Sequence, residues 1–507
     1  MHKSGAVRYA EKRRTGTCRF ADRVATVSLD IFHAKIPKAF RELQRQTCVA
    51  SIVAHFKEDD HLQVVSLGVG TKFLAESILR KEELDDDLNN SMEGIDGLCG
   101  YVGYGLRVRD CHAEVLARRA FRRRLLLEMK ELSHRNPVDL FESSSDCYRR
   151  ILKKSPQTGN VEGERNHRFE LVSGVTLHFY SSSAPCGNAV LKKFSKMLGE
   201  NYDEELAVDK WPQPEHTPIL GHALQMGQFA LLTKRDSTVE KTGNPWIETK
   251  APLKGWPAAQ SDEWCPPGTS IVWYNRGSIH TCSDKLCRWN ILGLQGSLLS
   301  SLLEVPIFME TLTVGRKFTA CICRRAVCCR AAIMPKKKHQ AQVECRHDEN
   351  QGFYRLHHPT VMGTSIYMDD LGVLDMKNKV EECQDVRFDS PLCWAWWLGE
   401  NHEHCEAECI DGSTGFALEW EVSLLPIESK MTKVSSISTA SLLRLFGTIR
   451  YTDAAHVTAI TSLVGLRAFK IRAATKYESE KTNLMTSHMV FKQWRRRSFD
   501  IGCSQAT

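Results

Sequence analysis

Three short runs carry residue types able to do chemistry: DCHAEVLARRAF (110–121), SSSAPCGNA (181–189) and HTCSDKLCRWN (280–290). His112, Cys186 and Cys282 supply one imidazole and two thiols, a set that holds Zn²⁺ and leaves one tetrahedral position for water. Zinc in such a site lowers the pKa of water and yields hydroxide near neutral pH. Glu114, two residues from His112 and not itself a ligand, is placed to take the water proton, pass it to a ring nitrogen and later protonate departing ammonia. An isolated His-x-Glu is more often a surface pair on a helix, and an isolated Pro-Cys-Gly is equally weak. In this order, each at a strand-to-helix entrance, and followed by a third run with a cysteine, they point to one hydrolytic site.

Zinc nucleobase deaminases carry the pattern H-x-E…P-C-x-x-C. Here Asn188 and Ala189 follow the glycine, so the second cysteine has to come from elsewhere. Cys282 fits because it too lies where a helix begins after a strand-like run, TSIVWYN.

The elements that must position these side chains follow from local patterning. HLQVVSLGVGTKF (61–73) reads as strand and turn, EELDDDLNNSMEGIDG (82–97) as a solvated acidic loop, and residues 111–132 as a helix. Residues 133–167 are polar and turn-rich. GVTLHFYSSSAPCGNAVLKKFSKML is expected to form strand, tight turn and helix, with Cys186 at the helix entrance. The stretch from about 199 to 268 carries prolines and tryptophans and few periodic runs, which marks a large irregular insertion. Residues 282–306 predict a helix that contains glycines and ends before a proline, and IFMETLTVG predicts a strand. A long basic amphipathic helix, roughly 465 to 495, is expected to close the fold. This alternation suits the α/β class, with a buried sheet and a site at the strand ends.

The helix carrying His112 raises a second question. At about 100° per residue, Arg119 returns to within about 20° of the His112 face two turns deeper, and Arg118 lies four beyond Glu114. If His112 and Glu114 point inward, both arginines do as well, and a buried guanidinium without an anion costs several kcal/mol. An anion is therefore expected beneath the site. The bland alternative is an exposed Glu114–Arg118 pair worth a few tenths of a kcal/mol.

Bulk properties bound the class. The chain has 507 residues, 42% hydrophobic and 25% charged, and no run approaches the ~18 unbroken apolar residues a membrane helix needs. The opening residues lack an apolar core and a cleavage pattern, so an intracellular protein of cytoplasm or nucleus is expected. Nineteen cysteines without a secretory signal favour thiols and metal ligands over a disulfide framework. The net charge of +7 is mild, but from Arg467 to Arg497 nine Lys/Arg face two Glu, an asymmetry that suits an anionic partner.

VVSLGVGTKF, DCHAEVLARR, SSSAPCGNA and CSDKLCRWNILGLQGSLLS resemble the adenosine deaminases acting on RNA and the tRNA-specific adenosine deaminases that share their catalytic domain. The resemblance runs from about residue 50 to the C-terminus. It leaves 1–49 as an N-terminal segment and 50–507 as one catalytic domain enlarged by the insertion. It implies a cytidine-deaminase-like three-layer core with a mixed sheet and a C-terminal helical region. It also implies a third zinc ligand at Cys282 and a buried inositol hexakisphosphate. By that resemblance Arg118, Arg119, Lys285, Arg288, Trp289, Gln295, Tyr477, Lys481 and Trp494 match the polyphosphate contacts. Three positions depart from the family pattern: Arg109 stands where the family has Asn, Asn188 where it has Asp, and Thr439 where it usually has Lys.

The resemblance implies hydrolysis of adenosine to inosine in RNA, and a buried site requires the target base to be unpaired or flipped out. About 50 residues precede the resemblance, too few for a double-stranded RNA-binding module. STVEKTGNPW looks like a degraded form of a block of the tRNA enzymes. Both favour tRNA, and by resemblance the adenosine just 3′ of the anticodon in an alanine tRNA. Deamination of double-stranded RNA, or RNA binding without catalysis, are the alternatives. One motif stays outside this scheme. CICRRAVCC (321–329), with His339, Cys345 and His347 downstream, fits no common zinc module and reads as a helix with cysteines on its apolar side.

Overall fold

The computed structural model describes residues 19–43, 47–74, 105–134, 149–155, 168–187, 281–332, 354–368, 392–399, 406–418, 432–451 and 463–487, with isolated positions between them. The acidic loop at 82–97, the insertion at 199–268, Asn188 and Trp494 lie outside the described residues.

Strands β1 (Val49–Phe56) and β2 (His61–Val69) form an antiparallel hairpin. In β1, Ala50, Ile52 and Ala54 point into one apolar cluster while Val49 and Val53 point into another. A strand apolar on both faces needs a layer of cover on each. Short strands β3 (Thr71–Phe73) and β4 (Asp110–His112) pair with each other, as do β5 (Leu152–Lys154) and β6 (Phe169–Leu171). The remaining strands are β7 (Val175–Ser183), β8 (Thr311–Arg316), β9 (Thr360–Gly363), β10 (Leu392–Trp397), β11 (Glu406–Asp411), β12 (Ala417–Leu418) and β13 (Thr432–Lys433). Together they complete a nine-stranded sheet in the order β13-β12-β11-β10-β2-β1-β7-β8-β9. Pairs β7–β8 and β8–β9 are parallel and the others antiparallel, so the sheet is mixed.

Helices α1 (Arg19–Lys35) and α2 (Lys38–Leu43) cover one face, where Val24, Leu29, Phe32 and Phe40 meet Val53, Leu67, Trp394 and Trp396. The other face carries α3 (Ala113–His134), α4 (Cys282–Leu292), α5 (Gly296–Ser300), α6 (Ala320–Val327), α7 (Thr439–Arg450) and α8 (Leu463–Ala473). There Phe121, Leu125, Leu298 and Phe446 are fully or almost fully buried against Ile52, Phe179 and Leu312. Helix α9 (Thr475–Ser487) follows α8, and Tyr477 and Leu484 pack against Cys287 and Ile291 of α4. Among the described residues no helix is long and apolar enough to cross a membrane.

Two expected helices are broken. The run 282–306 divides at Gly293, whose φ of 80° ends α4, and resumes as the short α5. The terminal helix divides at Ala474 into α8 and α9, and Tyr477 of α9 packs against α4. The helix expected after Cys186 falls almost wholly outside the described residues.

Candidate active site

β4 aligns His112 opposite Thr71, and the Ala113 amide donates to the Gly70 carbonyl at 3.0 Å, so α3 starts directly off the strand. This places Glu114 in the first helical turn, 4% exposed. Ser181, near the end of β7, donates to Glu114 Oε1 at 3.3 Å.

His112 is oriented by its own strand. Its Nδ1 lies 2.6 Å from Asp110 Oδ1, which also accepts the His112 amide at 3.0 Å. A carboxylate there keeps the proton on Nδ1 and leaves Nε2 as the lone-pair donor. Burial alone would depress the imidazole, but Asp110 outweighs it and His112 is pushed up to about 9. Asp110 is buried too, yet Lys285, which pairs directly with its second oxygen, and His112 hold its carboxyl well below the usual range.

Cys186 reaches the same place through tight backbone packing. Gly187 has φ 91°, and a Cβ there would lie 2.2 Å from Thr281 Oγ1, so only glycine lets this turn close on the next helix. Thr281 caps α4 through a reciprocal bond set with Asp284, leaving the first amides of the helix to point outward. The Cys282 amide donates to Cys186 Sγ at 3.2 Å, while the Ser283 amide and hydroxyl donate to the Cys186 carbonyl at 3.1 and 2.8 Å. The Cys282 thiol lowers the Cys186 pKa against burial, with His112 acting in the same sense, whereas burial and then Cys186 raise Cys282. Of the two sulfurs, Cys186 is therefore the one favoured as thiolate, at the N-terminus of α4.

The donor types suit zinc: an imidazole, hydrogen-bonded through Nδ1 to Asp110, whose charge acts on Cys186, and two cysteines joined through the Cys282 amide, with the buried Glu114 carboxylate acting on both sulfurs. Sequence reasoning named all four residues. It missed Asp110, two residues from His112, and Ser181; an acid ahead of an H-x-E run is the signal available for the first.

One turn deeper the cations gather. Arg118 donates from Nε to the Leu294 carbonyl at 2.7 Å and lies 4.6 Å over the Trp289 ring. Gly296 has φ 71°, and a Cβ there would be 3.1 Å from Arg118 Nη2 and 3.5 Å from Arg122 Cζ, so both guanidinium groups lie over this glycine. Arg122 Nε is buried without a hydrogen-bond partner among the described residues. Arg119 turns towards α7, donating to the Ile437 carbonyl at 2.7 Å and to Thr439 Oγ1 at 3.3 Å. Burial and the neighbouring Arg122, Arg288 and Arg119 push Arg118 down to about 9 despite Tyr477. Burial, then Lys481 and Arg122, bring Lys470 down to about 7. The nearby Glu478 is engaged by Lys481 at 2.9 Å.

Two residues expected at the polyphosphate have partners within the chain. Lys285 faces Asp110, where burial disfavours its charge less than Asp110 and Cys282 favour it, so it belongs to the His112 side. The Gln295 amide is spent on backbone: Oε1 accepts from Ile307 at 3.0 Å and Nε2 donates to Leu292 at 2.8 Å. Gln295 therefore shapes the turn over which the arginines lie. Arg122 and Lys470 join the cluster unannounced. Arg122 is four beyond Arg118 and its spacing was available, whereas Lys470 arrives from another helix.

The chain belongs to the adenosine-deaminase (editase) domain family, which it matches over residues 96–498. It is 26% identical over 312 residues to a double-stranded RNA-specific adenosine deaminase of Mus musculus, covering 61% of this chain and 21% of that protein. It is 25% identical over 290 residues to tRNA-specific adenosine deaminase 1 of Drosophila melanogaster, covering 57% of this chain and 53% of that protein. For tRNA-specific adenosine deaminase 1 of Homo sapiens the identity is 24% over 318 residues, covering 50% and 55%. The chain thus spans about a fifth of the first relative and about half of the other two.

Proposed function

We propose that this chain is a zinc-dependent hydrolase that deaminates adenosine to inosine in RNA, breaking the amidine C–N bond of the base, with tRNA as substrate. One observation carries the reading: a buried Glu114 lies beside a His112 whose tautomer is fixed and a Cys186–Cys282 pair held in contact. His112 Nε2 and the two sulfurs would hold Zn²⁺, which when bound supplies a Lewis acid that makes water nucleophilic near neutral pH. Glu114 takes one proton of the attacking water and delivers it to the adenine ring nitrogen, then takes the proton of the new C6 hydroxyl and passes it to the amino group, which leaves as ammonia while the carbonyl forms. Ser181 orients the Glu114 carboxylate through Oε1. Asp110 and Lys285 fix the imidazole. The mixed sheet, with catalytic groups at strand-to-helix junctions, supports a cytidine-deaminase-like core.

Inositol hexakisphosphate is proposed as a structural ligand of Arg118, Arg119, Arg122, Arg288, Lys470, Tyr477 and Lys481, with Trp289 beneath Arg118. The support is electrostatic: burial depresses several of these cations towards neutrality, and a polyanion would restore their charge. A tRNA substrate, with the adenosine 3′ of the anticodon of alanine tRNA as target, is supported by the tRNA-specific relatives, about half of whose length aligns here. The larger share of this chain, 61%, that aligns with the double-stranded RNA-specific deaminase favours a duplex substrate instead. Incubating the zinc-loaded chain with alanine tRNA and with a long RNA duplex, and counting inosine by mass spectrometry, separates them. Faster turnover on the tRNA is expected, and faster turnover on the duplex would reverse the choice.

A further inference from the structure

A second group of soft ligands lies away from His112, Cys186 and Cys282. Cys328 Sγ, Cys329 Sγ and a His358 ring nitrogen lie within 4.8 Å of one another. The sulfurs are 3.5 Å apart, and Cys329 Sγ is 3.9 Å from His358 Nδ1. The cysteines 321–329 were expected to line an apolar helix side, and Cys323 does so, fully buried. Cys328 and Cys329 behave differently because α6 ends at Val327. Cys328, with φ −149° and ψ −59°, turns the chain into the 3₁₀ turn Cys329–Ala332, which brings adjacent sulfurs to one side. The third ligand is His358; His339, Cys345 and His347 lie outside the described residues.

The two arms are held together independently of the sulfurs. Asn290 of α4, fully buried, donates from Nδ2 to the Val327 carbonyl at 2.8 Å and accepts the His357 amide on its own carbonyl at 2.7 Å. One helix residue therefore fixes the backbone next to Cys328 and the backbone next to His358. The His357 ring stacks on Phe308 at 4.7 Å, which steadies the second arm. An ion at about 2.3 Å from each sulfur separated as here subtends an S–metal–S angle of roughly 100°, close to tetrahedral. Two thiolates and an imidazole select zinc over hard cations. Cys328 is buried, Cys329 half-buried and His358 exposed, so a fourth position opens to water.

We propose that Cys328, Cys329 and His358 form a second, structural Zn²⁺ site that fastens the α6 terminus to the segment leading into β9, beside Asn290 of α4. Asn290 lies eight residues along α4 from Cys282, about 12 Å at 1.5 Å per residue. The second ion thus braces the far end of the helix whose first residue is a proposed catalytic ligand.

Metal analysis of the purified full chain tests this. Two zinc ions per chain are expected, falling to one in Cys328→Ser/Cys329→Ser with inosine formation retained, and to one in His112→Ala. One zinc in the wild type, unchanged by the double serine variant, overturns the second site. Should the double variant fail to fold, alkylation of wild-type Cys329 by iodoacetamide decides. Labelling is expected to be at least tenfold slower in the zinc-loaded chain than after chelation, and equal labelling rates overturn the proposal.

Discussion

The first and second turns of α3 face the same interior with opposite electrostatic solutions. At the first, the chain supplies polar partners: Asp110 lies between His112 and Lys285, and the Ser181 hydroxyl reaches Glu114. At the second, burial depresses Arg118, Arg122 and Lys470, and neighbouring cations depress Arg118 and Lys470 further. Farther along the same helix Arg124 shows what an internally balanced arginine looks like. It pairs with Glu128 at 2.8 Å, both fully buried, and Glu128 Oε1 also accepts the Ile151 and Leu152 amides. Among the described residues no carboxylate pairs with Arg118 or Arg122, which supports the external anion proposed there.

The comparison breaks most sharply at Glu114. Glu114→Gln is expected to lower inosine formation by about 100- to 10,000-fold while zinc content and melting temperature stay near wild type. A large loss of stability instead would make Glu114 part of the scaffold. The second region responds in the opposite sense. Arg122→Leu removes a cation that repels its neighbours if no anion is present and binds the anion if one is. With the polyanion bound, loss of about 3 kcal/mol of stability is expected in urea titration, with little change in turnover per folded molecule; a stabilised variant would show the cluster to be empty.

Asp110→Asn sharpens the first region. It removes the charge that fixes the His112 tautomer and pairs with Lys285, and zinc affinity is expected to fall by about 10- to 100-fold in competition with a chromogenic chelator. The smallest effect is a pH dependence. Without an anion, Lys470 loses its proton near pH 7 when folded and near its ordinary 10.5 when unfolded. The folded state then binds fewer protons between these values, and stability rises with pH across that window. A bound polyanion keeps Lys470 charged and removes the rise. Urea midpoints at about pH 7.5 and 9.5, measured before and after stripping of phosphate compounds, report the difference.

What the sequence disclosed depended on how local each feature was. His112 and Glu114 flank one strand-to-helix junction two residues apart, and that spacing was visible in the sequence. Cys282 was found because a helix entrance leaves a local signature, here the Thr281 cap. The pairing of Lys285 with Asp110 had no local signal, because Asp110 comes from a distant strand. The alternating strands indicated an α/β fold, yet a sheet order that joins β10 to β2 across more than half the chain has no local signal. The break at Ala474 escaped notice because the basic pattern runs through both α8 and α9. Cys328 and Cys329 were read with their helix when the chain had already left it.

The central claim is that the first turn of α3 performs hydrolytic deamination, and it is tested by inosine formed on alanine tRNA by the zinc-replete wild-type chain beside its Glu114→Gln variant. Inosine at a single adenosine is expected with the wild type, and at most one per cent of that rate with a variant that keeps its zinc. A zinc-replete wild type that forms no inosine on tRNA or duplex, or a Glu114→Gln variant of undiminished activity, contradicts it.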